Sequence, residues 1–390
     1  MTFPAAILIL ASLFASSTGA APVTGLQRDV VFDSYTPISG SAQLTQRLLA
    51  PLTALRLQSA TLAAGGEPRE QAIDLASEKF VLYVPAQEPP QGYALLVFVP
   101  PWEDARLPQQ WINALDREGM IFVSAAKSGN DANVLDRREP LALLAAHNMR
   151  QRYRLDPERI YVGGFSGGSR VALRLALGYP DLFRGVLLNA GSDAIGDAQV
   201  PLPPAPLFHQ FQQGTRIVYL TGGHDMEHLA QDTRSRHSLQ DWCAFDIAVE
   251  KMPWGGHEIA DPAALERALT ALAAHEPRDT SKFDACNKRI EQQLAAQTGA
   301  IEKLIENGRT TRRAPRLMNS TPASADWPRH AASNSRCTTN PAKRFVPFRS
   351  EAMCANSRRP TPTGKFARYS VDSPLSRHNI DVTKHFCFAA

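Results

Sequence analysis

Three positions in this sequence carry the residue types of acyl-transfer chemistry, in an order that chemistry can use. Gly164-Phe165-Ser166-Gly167-Gly168 contains the pattern Gly-x-Ser-x-Gly. A serine hydroxyl is a weak nucleophile unless a base removes its proton, and that base works best when a third group orients it. Asp225 closes Thr221-Gly222-Gly223-His224-Asp225, and His257 closes Pro253-Trp254-Gly255-Gly256-His257. They follow Ser166 at successive spacings of 59 and 32 residues, each long enough for a further helix and strand. In such a set His257 takes the serine proton, while Asp225 fixes its tautomer and stabilises the imidazolium. Gly164 and Gly168, flanking Phe165 and Gly167, leave room where a strand and a helix crowd the serine. The Gly167 amide then faces the reacting carbonyl as an oxyanion donor.

Other residues compete for these roles. His224 and His228 flank Asp225, but His-Asp-Met-Glu-His lacks the His-Glu-x-x-His spacing of zinc sites. Both read as surface or pocket-wall histidines, and no metal site is expected. Asp193 and Asp197 also follow an apolar run, and rank below Asp225 because the loop after the nucleophile helix usually shapes the pocket.

The elements that must position these residues are legible as alternation. Ala94–Val99 (Ala-Leu-Leu-Val-Phe-Val) is a continuous apolar run, which suits a strand buried on both faces. Phe80–Val84, Met120–Ser124, Arg159–Val162, Phe183–Asn189, Arg216–Leu220 and Asp246–Met252 read as strands, as does Leu55–Leu62. Pro140–Tyr153, Gly167–Leu177 and Pro262–Ala274 read as helices between and after them. Strand–helix alternation at this spacing predicts an α/β fold with a mostly parallel central sheet and helices on both faces. Ser166 then sits directly between an apolar strand and a helix, the context that gives Gly-x-Ser-x-Gly its meaning, and the order Ser166, Asp225, His257 is the α/β-hydrolase order.

With its flanking Tyr179-Pro180-Asp181-Leu182-Phe183, this set resembles the secreted α/β-hydrolase esterases of the polyhydroxybutyrate depolymerase and feruloyl esterase type. The likeness covers roughly residues 78–275. It implies hydrolysis of carboxylic esters of small or oligomeric substrates through an acyl-enzyme, without a metal or organic cofactor. One departure stands out. The family carries a His-Gly pair after the strand matching Ala94–Val99, and its loop donates the second oxyanion amide. Here the loop is Pro100-Pro101-Trp102-Glu103-Asp104. Proline has no amide hydrogen, so Trp102 is the first residue there that can donate. Trp102 and Trp254 are candidates for the walls of an apolar pocket. A serine peptidase of the same fold and a binding protein on a hydrolase scaffold are the rival readings.

Charge and termini complete the outline. The 390 residues carry 42 Lys+Arg and 38 Asp+Glu, a net charge of +4. Residues 310–390 hold 14 of those cations against 4 acids, which leaves the body mildly acidic. Nothing in the body has the charge pattern of a nucleic-acid-binding protein. The basic stretch 310–390 reads first as a disordered tail, second as an arm for an anionic surface, third as a segment displaced from its original reading frame. Phe3–Ala15 is apolar but too short for a stable membrane span of roughly 20 residues. Followed by Ser16-Ser17-Thr18-Gly19-Ala20, it reads as a signal peptide over 1–20, hence export to the periplasm or beyond. A catalytic domain over 21–277, with an N-terminal extension at 21–54, and a docked helix over 278–309 complete the expected organisation. Cys243 and Cys286 are candidates for a bridge in an oxidising compartment.

Overall fold

The computed structural model describes residues 23–66, 69–274 and 280–306. The expected signal peptide and basic tail lie outside the described residues. One eight-stranded sheet organises the rest: β1 (Gly25–Val30), β2 (Phe80–Val84), β3 (Tyr93–Val99), β4 (Met120–Ala125), β5 (Leu155–Phe165), β6 (Gly185–Asn189), β7 (Arg216–Gly222) and β8 (Ile247–Met252). Their spatial order is β1-β2-β4-β3-β5-β6-β7-β8. The pairings of β2 with β1 and with β4 are antiparallel, and every later pairing is parallel. Parallel neighbours end at the same edge, so the loops after β3, β5, β6, β7 and β8 all emerge along one rim.

Helices α1 (Ser41–Leu48), α2 (Pro51–Ala63), α3 (Ile112–Glu118), α4 (Glu139–Arg152), α5 (Gly167–Gly178), α6 (Ala205–Gly214), α7 (Met226–Asp241), α8 (Pro262–Ala273) and α9 (Thr280–Glu306) are the α-helices among the described residues. They cover both faces of the sheet, and β3 shows how. Successive strand side chains point to opposite faces. Leu95, Val97 and Val99 enter a core with residues of α4 and α5, whereas Ala94, Leu96 and Phe98 enter a second core with residues of α3 and α8. A strand that feeds two cores has no polar face, which is why it reads as an unbroken apolar run.

One N-terminal expectation needs revision. Leu55–Leu62, expected as a strand, lies inside α2. Its leucines, alanines, Arg56 and Gln58 are strong helix formers, and Pro51 opens the helix at a position where no amide hydrogen is needed. No residue of α2 is buried, so no apolar face disciplines the pattern. The segment treated as an extension, 21–54, supplies strand β1 and helix α1, and Leu44 and Leu48 of α1 are buried in the first core.

The C-terminal helix α9 is covalently joined to the body by a Cys243–Cys286 disulfide with 5.8 Å between Cα atoms. Arg289 adds a hydrogen bond of 2.7 Å to the Asp241 carbonyl, and Ile290 packs on the first core. Further along, Leu294 and Ile305 are exposed. Among the described residues no helix is long and apolar enough to cross a membrane.

Candidate active site

Strand β5 runs into Ser166, and α5 begins one residue later. Ser166 has φ 55° and ψ −122°, a backbone conformation that residues other than glycine seldom adopt. Such strain persists only where the surroundings enforce it, and the neighbouring glycines show how they do. A Cβ on Gly164 would lie 2.3 Å from the Gly168 carbonyl carbon, and one on Gly168 would lie 1.9 Å from the Val99 oxygen. Strand, turn, helix and the end of β3 therefore meet at backbone distance. The Ser166 amide is tied sideways to the Asn189 carbonyl at 2.9 Å.

Ser166, Asp225 and His257 converge. His257 Nε2 is 3.0 Å from Ser166 Oγ, and His257 Nδ1 is 2.7 Å from Asp225 Oδ2. The sheet alone does not bring them together, because β6 lies between β5 and β7. The loop after β8 must fold back over the end of β7, and two glycines permit it. A Cβ on Gly222 would meet the Gly256 oxygen at 2.1 Å, and one on Gly223 the Pro253 oxygen at 2.5 Å. The crossing is pinned by the His224 amide donating to the Gly255 carbonyl at 2.9 Å. Asn189 braces it from β6, donating to the Leu220 carbonyl and accepting from the Ala260 amide, at 3.0 and 2.9 Å.

Asp225 is 8% exposed and caps the N-terminus of α7. Burial on its own raises a carboxyl pKa. Here hydrogen bonds from His228 and His257 outweigh it and hold the Asp225 carboxyl below its ordinary value. The donor His228 is the principal surprise. Its Nδ1 lies 2.8 Å from Asp225 Oδ1, and its ring stacks on that of His257 with centroids 4.0 Å apart. His228 is thus part of the site. Sequence spacing pointed to a surface or pocket-wall histidine, and the sole available signal was its place three residues after a capping aspartate. The ligand atoms of Asp225, His228 and His257 lie within 4.8 Å of one another, near enough to share a metal ion. Such an ion would compete with both imidazole–carboxylate hydrogen bonds.

The rival acids fall elsewhere. Asp193 lies 3.5 Å from Arg170 Nε, and Asp197 accepts the Gln199 and Val200 amides in a local turn. His224 meets Trp254 edge-on, 6.4 Å between centroids, and Trp254 is 87% exposed, so it does not wall an enclosed pocket.

The Pro-Pro loop is held at its carbonyls. Arg138, buried, donates to the Pro100 oxygen at 2.9 Å and the Ser128 oxygen at 3.0 Å. The Asn130 amide donates to the Pro101 oxygen at 3.1 Å and the Lys127 amide to the Glu103 oxygen at 2.6 Å. Burial lowers the Arg138 pKa to about 10, with Glu103 and Glu139 opposing that fall. The Trp102 ring lies against Phe98 and Phe165 with Arg106 over it. Among the described residues, neither the Trp102 nor the Gly167 amide donates to a protein acceptor. Those are the two amides expected to face an oxyanion.

No protein-family profile matches the chain. NocK of Nocardia uniformis subsp. tsuyamanensis, a protein named provisionally as an esterase, is 48% identical over 52 residues, 13% of each chain. The match therefore spans about an eighth of that relative. Among solved structures, S-formylglutathione hydrolase FrmB from Staphylococcus aureus is 11% identical with a TM-score of 0.41, covering 50% of this chain and 93% of its own. A ferulic acid esterase is 12% identical with a TM-score of 0.37 over 50% and 92%. Pyrococcus horikoshii acylaminoacyl peptidase is 13% identical with a TM-score of 0.39 over 53% and 42%. The chain's own sheet order, its strained serine between β5 and α5, and its acid and imidazole after β7 and β8 are those of the α/β-hydrolase fold.

Proposed function

We propose that this protein is an exported serine esterase that cleaves carboxylic esters through an acyl-enzyme on Ser166. The observation that carries the reading is the unbroken hydrogen-bonded line from Ser166 Oγ through His257 to Asp225, at 3.0 and 2.7 Å. Ser166 Oγ attacks the ester carbonyl carbon while His257 Nε2 takes its proton. The carbonyl oxygen, now negative, accepts from the Trp102 and Gly167 amides. Collapse expels the alcohol, which receives the proton from His257. Water, deprotonated by the same imidazole, then attacks the acyl carbon, and the C–Oγ bond breaks to release the acid as His257 returns the proton to Ser166 Oγ. Asp225 keeps His257 in the tautomer that presents a bare Nε2 to the serine.

Small soluble esters or oligomers of hydroxyacids fit the likeness to polyhydroxybutyrate depolymerase and feruloyl esterase-type enzymes. Export is supported by the apolar N-terminus with its small-residue cleavage stretch, and by the Cys243–Cys286 bridge, since such bonds persist in oxidising compartments. The test uses a fluorophosphonate label, then a panel of p-nitrophenyl esters and peptide amides, beside Ser166→Ala. Labelling and ester turnover that vanish in the variant are expected. Amide cleavage without ester cleavage would make the protein a peptidase, and an unlabelled Ser166 would make it a binding protein.

A further inference from the structure

Asp225 serves two imidazoles, and a triad needs one. We propose that His228 is a positioning residue for the general base, holding the Asp225 carboxylate and the His257 ring in the orientation that reaches Ser166. The inference rests on the serine-hydrolase reading above.

A carboxylate bonded through one oxygen can still rotate about its Cβ–Cγ bond. Here Oδ2 accepts from His257 Nδ1, and Oδ1 accepts from His228 Nδ1 at 2.8 Å and more weakly from the His228 amide at 3.4 Å. An ionised carboxylate only accepts, so each Nδ1 carries the hydrogen. That fixes both tautomers and leaves His257 Nε2 bare toward Ser166. His228 also touches the base directly. The two imidazole planes lie 17° apart with centroids at 4.0 Å, and Phe165 lies against His257 at 5.0 Å and 30°. A ring packed against two neighbouring rings and hydrogen-bonded at both nitrogens has little freedom about χ2.

The backbone makes room for this arrangement. Gly191 has φ +118°, and a Cβ there would lie 2.8 Å from His228 Cδ2. Asp225 caps α7 and His228 sits in its first turn, so acid and clamp share one rigid helix end. The His228 side chain is only 14% exposed.

Three variants of the full chain separate the contacts. His228→Asn keeps a donor for Oδ1 and loses the stack; His228→Phe keeps the stack and loses the donor; His228→Ala loses both. With a p-nitrophenyl ester, His228→Ala should lower kcat about 10–10²-fold, the scale of a misplaced catalytic group, while KM stays near wild type. The other two should recover part of that loss. In proton NMR spectra the wild type should show two downfield imidazole Nδ1–H signals. In His228→Ala the signal of His228 should vanish and that of His257 should shift and broaden. Unchanged kcat in folded His228→Ala, or a loss that follows the melting temperature and is not recovered by either other variant, would overturn the proposal. If the wild type neither turns over esters nor takes the phosphonate, the functional reading fails and the NMR comparison alone decides. An unmoved His257 signal in His228→Ala then refutes the clamp.

Discussion

Replacing Gly168 by alanine tests whether the serine turn and the oxyanion loop are mechanically one object. The added carbon would lie 1.9 Å from the Val99 oxygen, 2.8 Å from the Val99 carbonyl carbon and 3.2 Å from that of Pro100. All three are backbone atoms, so no side chain can swing aside. To restore an ordinary contact of 3.4 Å from 1.9 Å, the end of β3 or the start of α5 must retreat by about 1.5 Å, and a misplacement of about 1 Å already costs about 10²-fold in rate. Val99 leads through two prolines to Trp102, and α5 starts at Gly167. Either retreat therefore separates the two amides that would share one oxygen. Overpacking should cost stability as well, about 1–3 kcal/mol. Ser166, Asp225 and His257 stay chemically intact, so a phosphonate should still label Ser166, only more slowly. The assay is kcat/KM on a p-nitrophenyl ester, with melting temperature measured in parallel. Gly299→Ala in α9, where an added Cβ meets nothing within 4 Å, is the control and should leave turnover unchanged. Wild-type kcat/KM in a folded Gly168→Ala protein would refute the interlocking of turn and loop.

Arg138→Met should destabilise the fold by about 1–3 kcal/mol, because it strips a buried donor from the Pro100 and Ser128 carbonyls while Glu139 keeps its ion pair with Arg174; urea unfolding measures it. Cys286→Ser opens a loop closed across 43 residues of sequence separation, which should cost about 4 kcal/mol on chain entropy while kcat is retained; the wild type under reductant should match it. Asp225 has a lowered folded pKa, so its contribution to stability is complete above the unfolded value of about 3.9 and is lost as the pH falls through the lowered one. The stability gap between wild type and Asp225→Asn, followed by denaturation from neutral pH downward, should therefore narrow over that acid range. A gap that widens there would contradict the sign.

The nucleophile turn and the seven strands from β2 to β8 were legible because each is written in contiguous residues. A buried parallel strand is apolar throughout, and a glycine-flanked serine between strand and helix has few other uses. Strand β1 was not legible. Gly-Leu-Gln-Arg-Asp-Val forms one of the sheet's two edge strands, half exposed, and carries no continuous apolar run. Helix α2 was misread because it buries nothing, leaving only residue propensity to identify it. The contacts that complete the site are long-range. Arg138 under the Pro-Pro loop, Asn189 bridging β6 to the His257 loop, and Gly222 beneath Gly256 each join segments far apart in the chain. The spacing of His228 from Asp225 was visible, but its stacking on a residue 29 positions later was not.

The loop after β3 has a thermodynamic consequence. Pro100 and Pro101 have almost no φ freedom even in the unfolded chain, so little entropy is lost when they take their native shape. The carbonyls of Pro100, Pro101 and Glu103 are already tethered, so the backbone on either side of Trp102 is held in the free protein. Ligand contacts need not draw this loop into shape. On the esterase reading proposed above, a short acyl group, with little surface of its own, would meet the same prearranged loop as a long one.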